Sequence, residues 1–198
     1  MIDENIFNLF NRIGKDLSLR KLISSHAGNI SIRDGNKIII KKRASMLGWL
    51  TPDDLIECSL DEEDASSLLS STETIVHRSI YLKTDALAVI HAHSPYCIAL
   101  SLLEDEIKCI DAEGAILLKK IPVIELNIPT GASEAADKVP PILANHPVVV
   151  IRSHGIFAKG ISLEDALQYV TAAEHSAMIL YLTMLTGKTL KKDYSKIL

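Results

Sequence analysis

The stretch Ala86-Leu87-Ala88-Val89-Ile90-His91-Ala92-His93 indicates both the kind of fold and where its chemistry lies. Its apolar run follows the helix-breaking pair Thr84-Asp85 and is typical of a buried β-strand. Because alternate side chains of a strand share a face, His91 and His93 are predicted to point at the same spot. Two convergent imidazoles suggest a pair of metal ligands, with two partly exposed or hydrogen-bonded imidazoles as the alternative.

A second apolar run, Val148-Val149-Val150-Ile151, ends in Arg152-Ser153-His154-Gly155 and predicts a second strand. This strand could deliver His154 to the same spot, and Gly155 would permit close approach of the backbone. Three histidines that leave one coordination position open are typical of a catalytic zinc site. The third histidine therefore favours metal binding over the alternative.

Glu73 is the candidate acid–base group. It lies on a helix predicted from Ser71 or Thr72 to Lys83, which leads directly into the His91 strand, so its carboxylate could fold over the metal as a base or a displaceable ligand. His77 follows one helical turn later and could hydrogen-bond to that carboxylate or simply pack, and we interpret it as structural. The other histidines are interpreted as surface or core residues: His26, His146 and His175.

The composition argues against several classes of protein. A chain of 198 residues that is 47% hydrophobic and has no Pro/Gly/Ser-rich linker predicts one domain over residues 1–198. The net charge of −4 leaves no basic field for nucleic acid, and the cluster from Lys41 to Arg43 is too short to create one. Three cysteines without Cys-x-x-Cys spacing or a signal peptide favour a reducing cytoplasm. Charged residues interrupt the apolar stretches, so we expect a soluble protein without membrane contact.

The remaining patterns alternate between strands and helices, which favours a layered α/β domain over a helical bundle or a sandwich. Residues 30–33 and 37–40 predict a hairpin that turns at Asp34-Gly35, and residues 121–126 resemble an edge or lone strand. Helices are predicted over residues 2–18, 95–103, 133–144 and 163–185, with a short helical turn starting at Thr51. Residues 188–198 are expected to form a flexible tail.

Two segments could bind an anion such as phosphate. Gly28-Asn29 lies in a loop of small residues with free amides, and Ser71-Thr72 offers hydroxyl and backbone N–H groups at a predicted helix N-terminus. An ordinary helix cap is the alternative for Ser71-Thr72. Its position directly before Glu73 favours the anion site.

Four motifs in this order and spacing resemble the class II aldolase/adducin family: Gly28-Asn29-Ile30-Ser31, Ser71-Thr72-Glu73, His91-Ala92-His93 and Ser153-His154-Gly155. The resemblance implies a three-layer αβα sandwich with a central, mainly antiparallel sheet. It also implies a homotetramer with active sites between neighbouring subunits. The implied cofactor is zinc, or another divalent metal, held by His91, His93 and His154, with Glu73 as a further ligand in the resting enzyme.

The resemblance also implies how substrate is bound and converted. Glu73 matches a carboxylate that leaves the metal to move a proton, and glutamate rather than aspartate there favours the aldolase branch over the epimerases. The matched phosphate-binding positions are Gly28, Asn29, Ser71 and Thr72. Arg43-Ala44 stands where the family usually has Ser/Thr-Gly, which removes a flexible amide donor but adds a guanidinium able to grip phosphate or carboxylate. Two family tyrosines have no clear match near Asp111-Ala112-Glu113 or in the tail, where Tyr194 is the candidate.

The implied reaction is reversible cleavage of a ketose 1-phosphate, such as L-fuculose 1-phosphate, into dihydroxyacetone phosphate and an aldehyde such as lactaldehyde. The alternatives within the family are a methylthioribulose-1-phosphate dehydratase, a ribulose-5-phosphate 4-epimerase and an aldolase that acts on a carboxylate-bearing substrate. A metal-free scaffold like adducin is the non-enzymatic alternative. Retention of the three histidines and Glu73 argues against that scaffold.

Overall fold

The strand that carries His91 lies inside an eight-stranded sheet in the computed structural model, which describes residues 2–62 and 65–196. The strands are β1 (Asn29–Asp34), β2 (Lys37–Lys41), β3 (Leu55–Ser59), β4 (Ala88–Ala92), β5 (Glu106–Lys108), β6 (Lys120–Ile124), β7 (Val148–Ile151) and β8 (Gly155–Gly160). The helices are α1 (Glu4–Leu19), α2 (Thr74–Lys83), α3 (Pro95–Ser101), α4 (Ala112–Leu117), α5 (Ala132–Leu143) and α6 (Leu163–Leu185).

The strand order β3-β2-β1-β4-β8-β7-β6-β5 places β4 between β1 and β8. Both of these neighbours run antiparallel to β4, and within the described residues the one parallel pair is β6 with β7. Opposite His91 in register lie Asn29 on β1 and Phe157 on β8. The prediction of a central, mainly antiparallel sheet is therefore confirmed.

Helices cover both faces of the sheet. The core cluster on one face joins Ile90 of β4 to residues of α1, α3 and α6. The cluster on the opposite face joins Val89 to residues of α2 and α5. Because alternate residues of a strand share a face, His91 lies on the same side of the sheet as Val89, where α2 carries Glu73 at its start. The three-layer αβα arrangement is thus confirmed, and it explains why the candidate base and the histidines share one side.

Several predicted elements agree closely with the structure. The hairpin turns after Asp34, with β1 and β2 paired from Asp34 and Lys37 onward. The long helix spans Leu163–Leu185, and the Ser162 side chain accepts a hydrogen bond from the backbone N–H of Asp165 at its start. The segment at Thr51 is only a short 3₁₀ turn over Pro52–Asp54, closed by a capping box.

Other predictions were wrong or incomplete. The edge or lone strand expected over residues 121–126 is β6, which lies between β5 and β7 inside the sheet. The hairpin gains a third strand, β3, and the short elements β5 and α4 were not predicted. Residues 71–72 precede α2, which begins at Thr74 with Glu73 in the N-cap position. Thr74 explains this later start, since its hydroxyl bonds the Ser70 hydroxyl and the Ser71 carbonyl oxygen in the preceding turn.

No helix in the described part of the chain combines the length and apolar character needed to cross a membrane. Tyr194 starts a short 3₁₀ turn in the predicted tail, and its backbone N–H donates to the Ile110 carbonyl at 3.2 Å. Residues 197 and 198 of that tail lie outside the described residues.

Candidate active site

Three imidazoles converge at one end of β4. Ligand atoms of His91, His93 and His154 all lie within 4.8 Å of one another. The Nε2 atoms of His91 and His93 are 3.1 Å apart. Two nitrogen ligands of a tetrahedral zinc ion are separated by about 3.3 Å, given Zn–N bonds near 2.0–2.1 Å. The His91–His93 pair therefore has nearly the spacing that a single metal ion requires, and the His154 ligand atom lies within 4.8 Å of both.

The connection between β7 and β8 brings the third histidine to this point. Ser153 has a φ of +62°, a left-handed conformation that reverses the chain, and the His154 N–H closes the turn by donating to the Ile151 carbonyl at 3.0 Å. Gly155 then passes close to β4. A Cβ atom at Gly155 would lie 2.4 Å from the Ala92 carbonyl oxygen and 3.0 Å from His91 Cε1. Only glycine fits there, as the sequence predicted from Gly155.

Neighbouring groups fix the orientation of His91. Its Nδ1 lies 3.1 Å from the Ile156 carbonyl oxygen, so Nδ1 carries the proton and Nε2 presents its lone pair to the centre of the triad. The ring also stacks on Phe157 with a centroid distance of 4.2 Å. Burial, followed by the neighbouring imidazoles, lowers the pKa of both His91 and His93. These rings therefore favour the neutral form that binds metals.

The Glu73 carboxylate lies against the triad. Its Oε2 is 3.3 Å from His91 Nε2, and its Oε1 is 3.9 Å from His154 Nε2. The side-chain amide of Asn29 donates a hydrogen bond of 2.7 Å to Oε2. The structure thus brings the predicted base together with all the predicted metal ligands, and Asn29 holds the carboxylate in place.

A cavity of about 340 Å³ opens beside Glu73, His93 and His154. All the residues predicted to bind phosphate line this cavity, and we call the part that they line the anion pocket: Gly28, Asn29, Arg43, Ser71 and Thr72. Further lining residues, which the sequence did not single out as ligands, are His26, Ala27, Lys41, Ala44 and Thr130. The predicted phosphate residues therefore share one cavity with Glu73, His93 and His154.

Backbone conformation shapes the anion pocket. Gly28 has a φ of +74°, and a Cβ there would lie 2.6 Å from Ile23 Cγ2. Ala44 has a φ of +60°, the left-handed conformation that glycine adopts at least cost. Ala44 thus has a glycine-like backbone at the position where the resemblance implies a glycine.

Ser71-Thr72 does not form the side-chain cap of α2 that the sequence left as the alternative to an anion site. The Ser71 hydroxyl accepts a hydrogen bond of 3.3 Å from the Glu73 N–H, in the turn before the helix. The N-cap residue Glu73 makes no side-chain capping bond and directs its carboxylate toward the histidines instead. Glu73 therefore leaves α2 without a side-chain cap, and its carboxylate is part of the site instead.

Lys41 is the residue of this region that sequence reasoning missed. Only 3% of it is exposed, and its Nζ donates to the carbonyl oxygens of Ser45 at 2.6 Å and His26 at 3.1 Å. Burial lowers the pKa of this ammonium group. The one sequence signal is the basic cluster from Lys41 to Arg43, in which the sequence singles out Arg43 and not Lys41 as a phosphate ligand.

The other histidines lie outside the triad. His77 is fully buried and its Nδ1 bonds the Ser31 hydroxyl at 2.6 Å, rather than the Glu73 carboxylate. Burial lowers the pKa of His77 to about 3, so it is a neutral structural residue. His26 and His175 are exposed and His146 is partly buried, as the sequence suggested, although His26 also lines the cavity.

Comparisons with known proteins cover nearly the whole chain. The family model described as Class II Aldolase and Adducin N-terminal domain matches residues 9–181. The L-fuculose phosphate aldolase of Methanocaldococcus jannaschii is 32% identical over 180 residues, 90% of this chain and 97% of that protein. The methylthioribulose-1-phosphate dehydratase of Persephonella marina is 30% identical over 185 residues, 84% of this chain and 85% of that protein. The crystal structure of L-fuculose-1-phosphate aldolase from Thermus thermophilus matches with a TM-score of 0.88 at 33% identity, covering 95% of this chain and 99% of that one.

Proposed function

The chain belongs to the class II aldolase and adducin family, and we propose that it is a zinc-dependent aldolase acting on a ketose 1-phosphate. The proposed reaction is reversible cleavage of a substrate such as L-fuculose 1-phosphate into dihydroxyacetone phosphate and an aldehyde such as lactaldehyde. One observation carries the proposal. Two histidines of a convergent triad, the Glu73 carboxylate and the predicted phosphate residues line one cavity.

In this proposal His91, His93 and His154 hold the zinc ion, and Glu73 is a further ligand in the resting enzyme. The donor set fits this metal, because neutral imidazole nitrogens and a carboxylate oxygen are its usual ligands. The buried Nδ1 of His154 has no hydrogen-bond partner among the described residues, which leaves that ring free to adjust to an ion. When bound, the metal supplies Lewis-acid stabilisation of the negative charge that develops on the substrate oxygens.

Glu73 is the proposed general base. In the aldol direction its carboxylate removes a proton from the dihydroxyacetone phosphate carbon that will form the new bond. The side chain has enough rotatable bonds to leave the triad, and the Asn29 amide, 2.7 Å away, limits where its Oε2 can go. In this proposal the proton transfer takes place beside the histidines.

The anion pocket is proposed to hold the substrate phosphate. Ser71 and Thr72 contribute hydroxyl groups, Gly28 lets the backbone approach, and Arg43 adds a guanidinium at the rim. Asn29 lies where the pocket meets the Glu73 carboxylate. Binding the phosphate at a fixed distance from Glu73 converts binding energy into orientation of the reacting carbon.

A retro-aldol screen tests this proposal. Zinc-loaded protein is incubated with ketose 1-phosphates, and dihydroxyacetone phosphate is detected by a coupled assay. We expect release of dihydroxyacetone phosphate from at least one of them, and loss of that activity in protein depleted of zinc by a chelator. Absence of cleavage with every ketose 1-phosphate, or full activity without metal, would contradict the proposal.

Methylthioribulose-1-phosphate dehydratase is the second candidate, because a relative of that name is 30% identical over 84% of this chain. A dehydratase would also use a metal site and a phosphate pocket, but it releases water and no dihydroxyacetone phosphate. Methylthioribulose 1-phosphate and a carboxylate-bearing ketose phosphate are therefore included in the screen. Product analysis by mass spectrometry separates dehydration from carbon–carbon cleavage.

We also propose a homotetramer in the cytoplasm. Exposed apolar side chains, among them Leu102, Leu103 and Ile116, offer surface for subunit contacts. The buried, free thiols of Cys58, Cys97 and Cys109 suit a reducing compartment. Light scattering tests the assembly, for which we expect four times the 21.7 kDa mass of the chain. A monomer at micromolar concentration would contradict it.

A further inference from the structure

Polar contacts join strand β1 to helix α2 beside the candidate active site. The β1 members alternate along the strand, so they share one face of it: Asn29, Ser31 and Arg33. Their partners follow one another at intervals of four residues, which places them along one side of α2 and its N-cap: Glu73, His77 and Tyr81. We call this set of contacts the β1–α2 ladder.

The ladder begins at the candidate base and continues away from it. At the first step the Asn29 amide donates a hydrogen bond of 2.7 Å to Glu73 Oε2. At the second step Ser31 Oγ lies 2.6 Å from His77 Nδ1 and 2.7 Å from Tyr81 Oη. One serine hydroxyl therefore links β1 to two successive turns of α2.

The spacing of the two elements makes this ladder possible. Two residues advance about 6.7 Å along a strand, and four residues advance about 6.0 Å along a helix. The third step continues the match, since the Arg33 guanidinium donates to the Tyr81 carbonyl oxygen at 3.3 Å. Successive residues on one face of β1 thus meet successive turns of α2.

The second step of the ladder lies in the protein interior. Ser31, His77 and Tyr81 have exposed fractions of 0%, 0% and 1%. Burying a polar side chain is unfavourable unless it is hydrogen-bonded. The Nε2 atom of His77 has no partner among the described residues, so the ring depends on its contact with Ser31. These polar groups are therefore satisfied only where α2 lies in one position along β1.

The apolar contacts of α2 do not select that position as sharply. Val76 and Ile80 are buried in the same core cluster, and such packing is non-directional. A hydrogen bond is lost when its atoms separate by about 1 Å more. The ladder, rather than the apolar packing, therefore fixes where α2 lies along the strand.

We propose that Ser31 is a positioning residue for Glu73: its hydroxyl holds α2 in place along β1, so that the Glu73 carboxylate meets both Asn29 and His91. Glu73 begins this helix, and its Oε2 lies 3.3 Å from His91 Nε2. The inference rests on the proposed function, because it takes Glu73 as the general base. A reacting group misplaced by about 1 Å can lose about 10²-fold in rate, so a small shift of α2 slows proton transfer.

The first test is Ser31→Ala, which removes only the hydroxyl. Proton exchange at dihydroxyacetone phosphate is measured by NMR with zinc-loaded protein. We expect exchange at saturating substrate to fall about 10-fold while KM stays within about threefold, because the metal ligands and the anion pocket keep all their residues. Exchange at the wild-type rate, or a loss confined to KM, would overturn the inference.

Ile80→Val is the matched control, because Ile80 is fully buried on α2 but belongs to no step of the ladder. Its smaller side chain should lower the thermal unfolding midpoint and leave the exchange rate unchanged. If Ile80→Val slowed exchange as much as Ser31→Ala, any loosening of α2 would have the same effect. That result would also overturn the inference.

Crystal structures of the zinc-loaded wild-type, Ser31→Ala and Ile80→Val proteins give a readout that does not depend on activity. We expect the distance from the Glu73 carboxylate to the Asn29 amide nitrogen to grow by about 0.5 Å or more in Ser31→Ala only. Such a displacement supports the role of Ser31 even if the wild-type protein exchanges no proton and the proposed function fails. A carboxylate in its wild-type position overturns the inference even if cleavage is found.

Ser31→Cys serves if Ser31→Ala does not fold. A thiol occupies similar space but is a weak hydrogen-bond donor and acceptor, so the link from β1 to His77 and Tyr81 is weakened without leaving a void. We expect the Glu73 carboxylate to be displaced in the same way. A wild-type position of that carboxylate in a folded Ser31→Cys protein would overturn the inference.

Discussion

Gly155→Ala should damage the metal site through a backbone clash, without removing any ligand. The added Cβ would lie 2.4 Å from the Ala92 carbonyl oxygen, 1.0 Å short of the 3.4 Å at which ordinary contact begins. It would also lie 3.0 Å from His91 Cε1 and 3.1 Å from His93 Cδ2. A backbone oxygen in a sheet cannot rotate away, so the start of β8 has to move relative to β4.

That movement acts on His91 through Ile156, the next residue on β8. The Ile156 carbonyl holds the ring by its contact with Nδ1 at 3.1 Å, and a shift of several tenths of an ångström weakens this bond. Loss of a hydrogen bond that orients a metal-binding histidine typically lowers metal affinity by about 10- to 100-fold. Overpacking adds a stability cost of about 1–3 kcal/mol. We therefore expect weaker zinc binding in a protein that remains folded.

Zinc affinity is measured by competition with a chromophoric chelator, and stability by urea unfolding of the metal-free protein. Gly35→Ala is the control, since a Cβ at Gly35 meets nothing within 4 Å, while its φ of +59° makes the substitution cost about 1–2 kcal/mol. The control should lose stability and keep its zinc affinity. If Gly155→Ala bound zinc as tightly as the control, the reasoning from β4–β8 contact to metal affinity would be refuted.

Three further substitutions test individual roles in the site. Glu73→Gln should keep zinc but slow proton exchange at dihydroxyacetone phosphate by about 10²-fold or more, and unchanged exchange measured by NMR would remove Glu73 as the base. Asn29→Ala removes the 2.7 Å bond to that carboxylate, so exchange at saturating substrate should fall by about 10-fold or more, whereas a change confined to KM would mean that Asn29 only binds phosphate. Arg43→Ala should raise KM for phosphorylated ketoses several-fold in steady-state kinetics. An unaltered KM would show that Arg43 is no phosphate ligand.

The metal site could be predicted largely from sequence because it depends on short-range regularities. The period of two along a strand places His91 and His93 on one face, whatever the rest of the fold. The prediction for His154 required one further assumption, that the chain at the end of its strand comes close to β4. Gly155 made that approach feasible, and β8, which begins at Gly155, does pair with β4. Glu73 followed from its place on a predicted helix that leads directly into β4.

Features that depend on long-range pairing could not be predicted in the same way. The position of β6 inside the sheet results from its parallel pairing with β7 and its antiparallel pairing with β5, and a helix separates β6 from each partner along the chain. The burial of Lys41 depends on two loop carbonyls that lie 15 and 4 residues away along the chain. No local pattern distinguishes this lysine from Lys42.

The start of α2 shows a local competition that sequence rules did not resolve. Ser71 and Thr72 are good cap residues, yet the Thr74 hydroxyl bonds the Ser71 carbonyl and the helix begins later. The shift places Glu73 at the N-cap position, where its side chain reaches the histidines. The residue that breaks the simple capping rule is therefore Glu73, the proposed catalytic residue.

The metal stoichiometry of wild-type protein and of His154→Ala tests the central claim most directly. Both proteins are purified from zinc-supplemented growth and analysed for metals by mass spectrometry, after unfolding curves have shown that both are folded. We predict one zinc ion per wild-type chain and nearly none in His154→Ala, because two imidazoles and a displaceable carboxylate hold zinc weakly. The claim is that His91 and His93 from β4 and His154 from the β7–β8 connection bind one metal ion together. A wild-type protein without a divalent metal, or a His154→Ala protein that retains one zinc ion per chain, would contradict it.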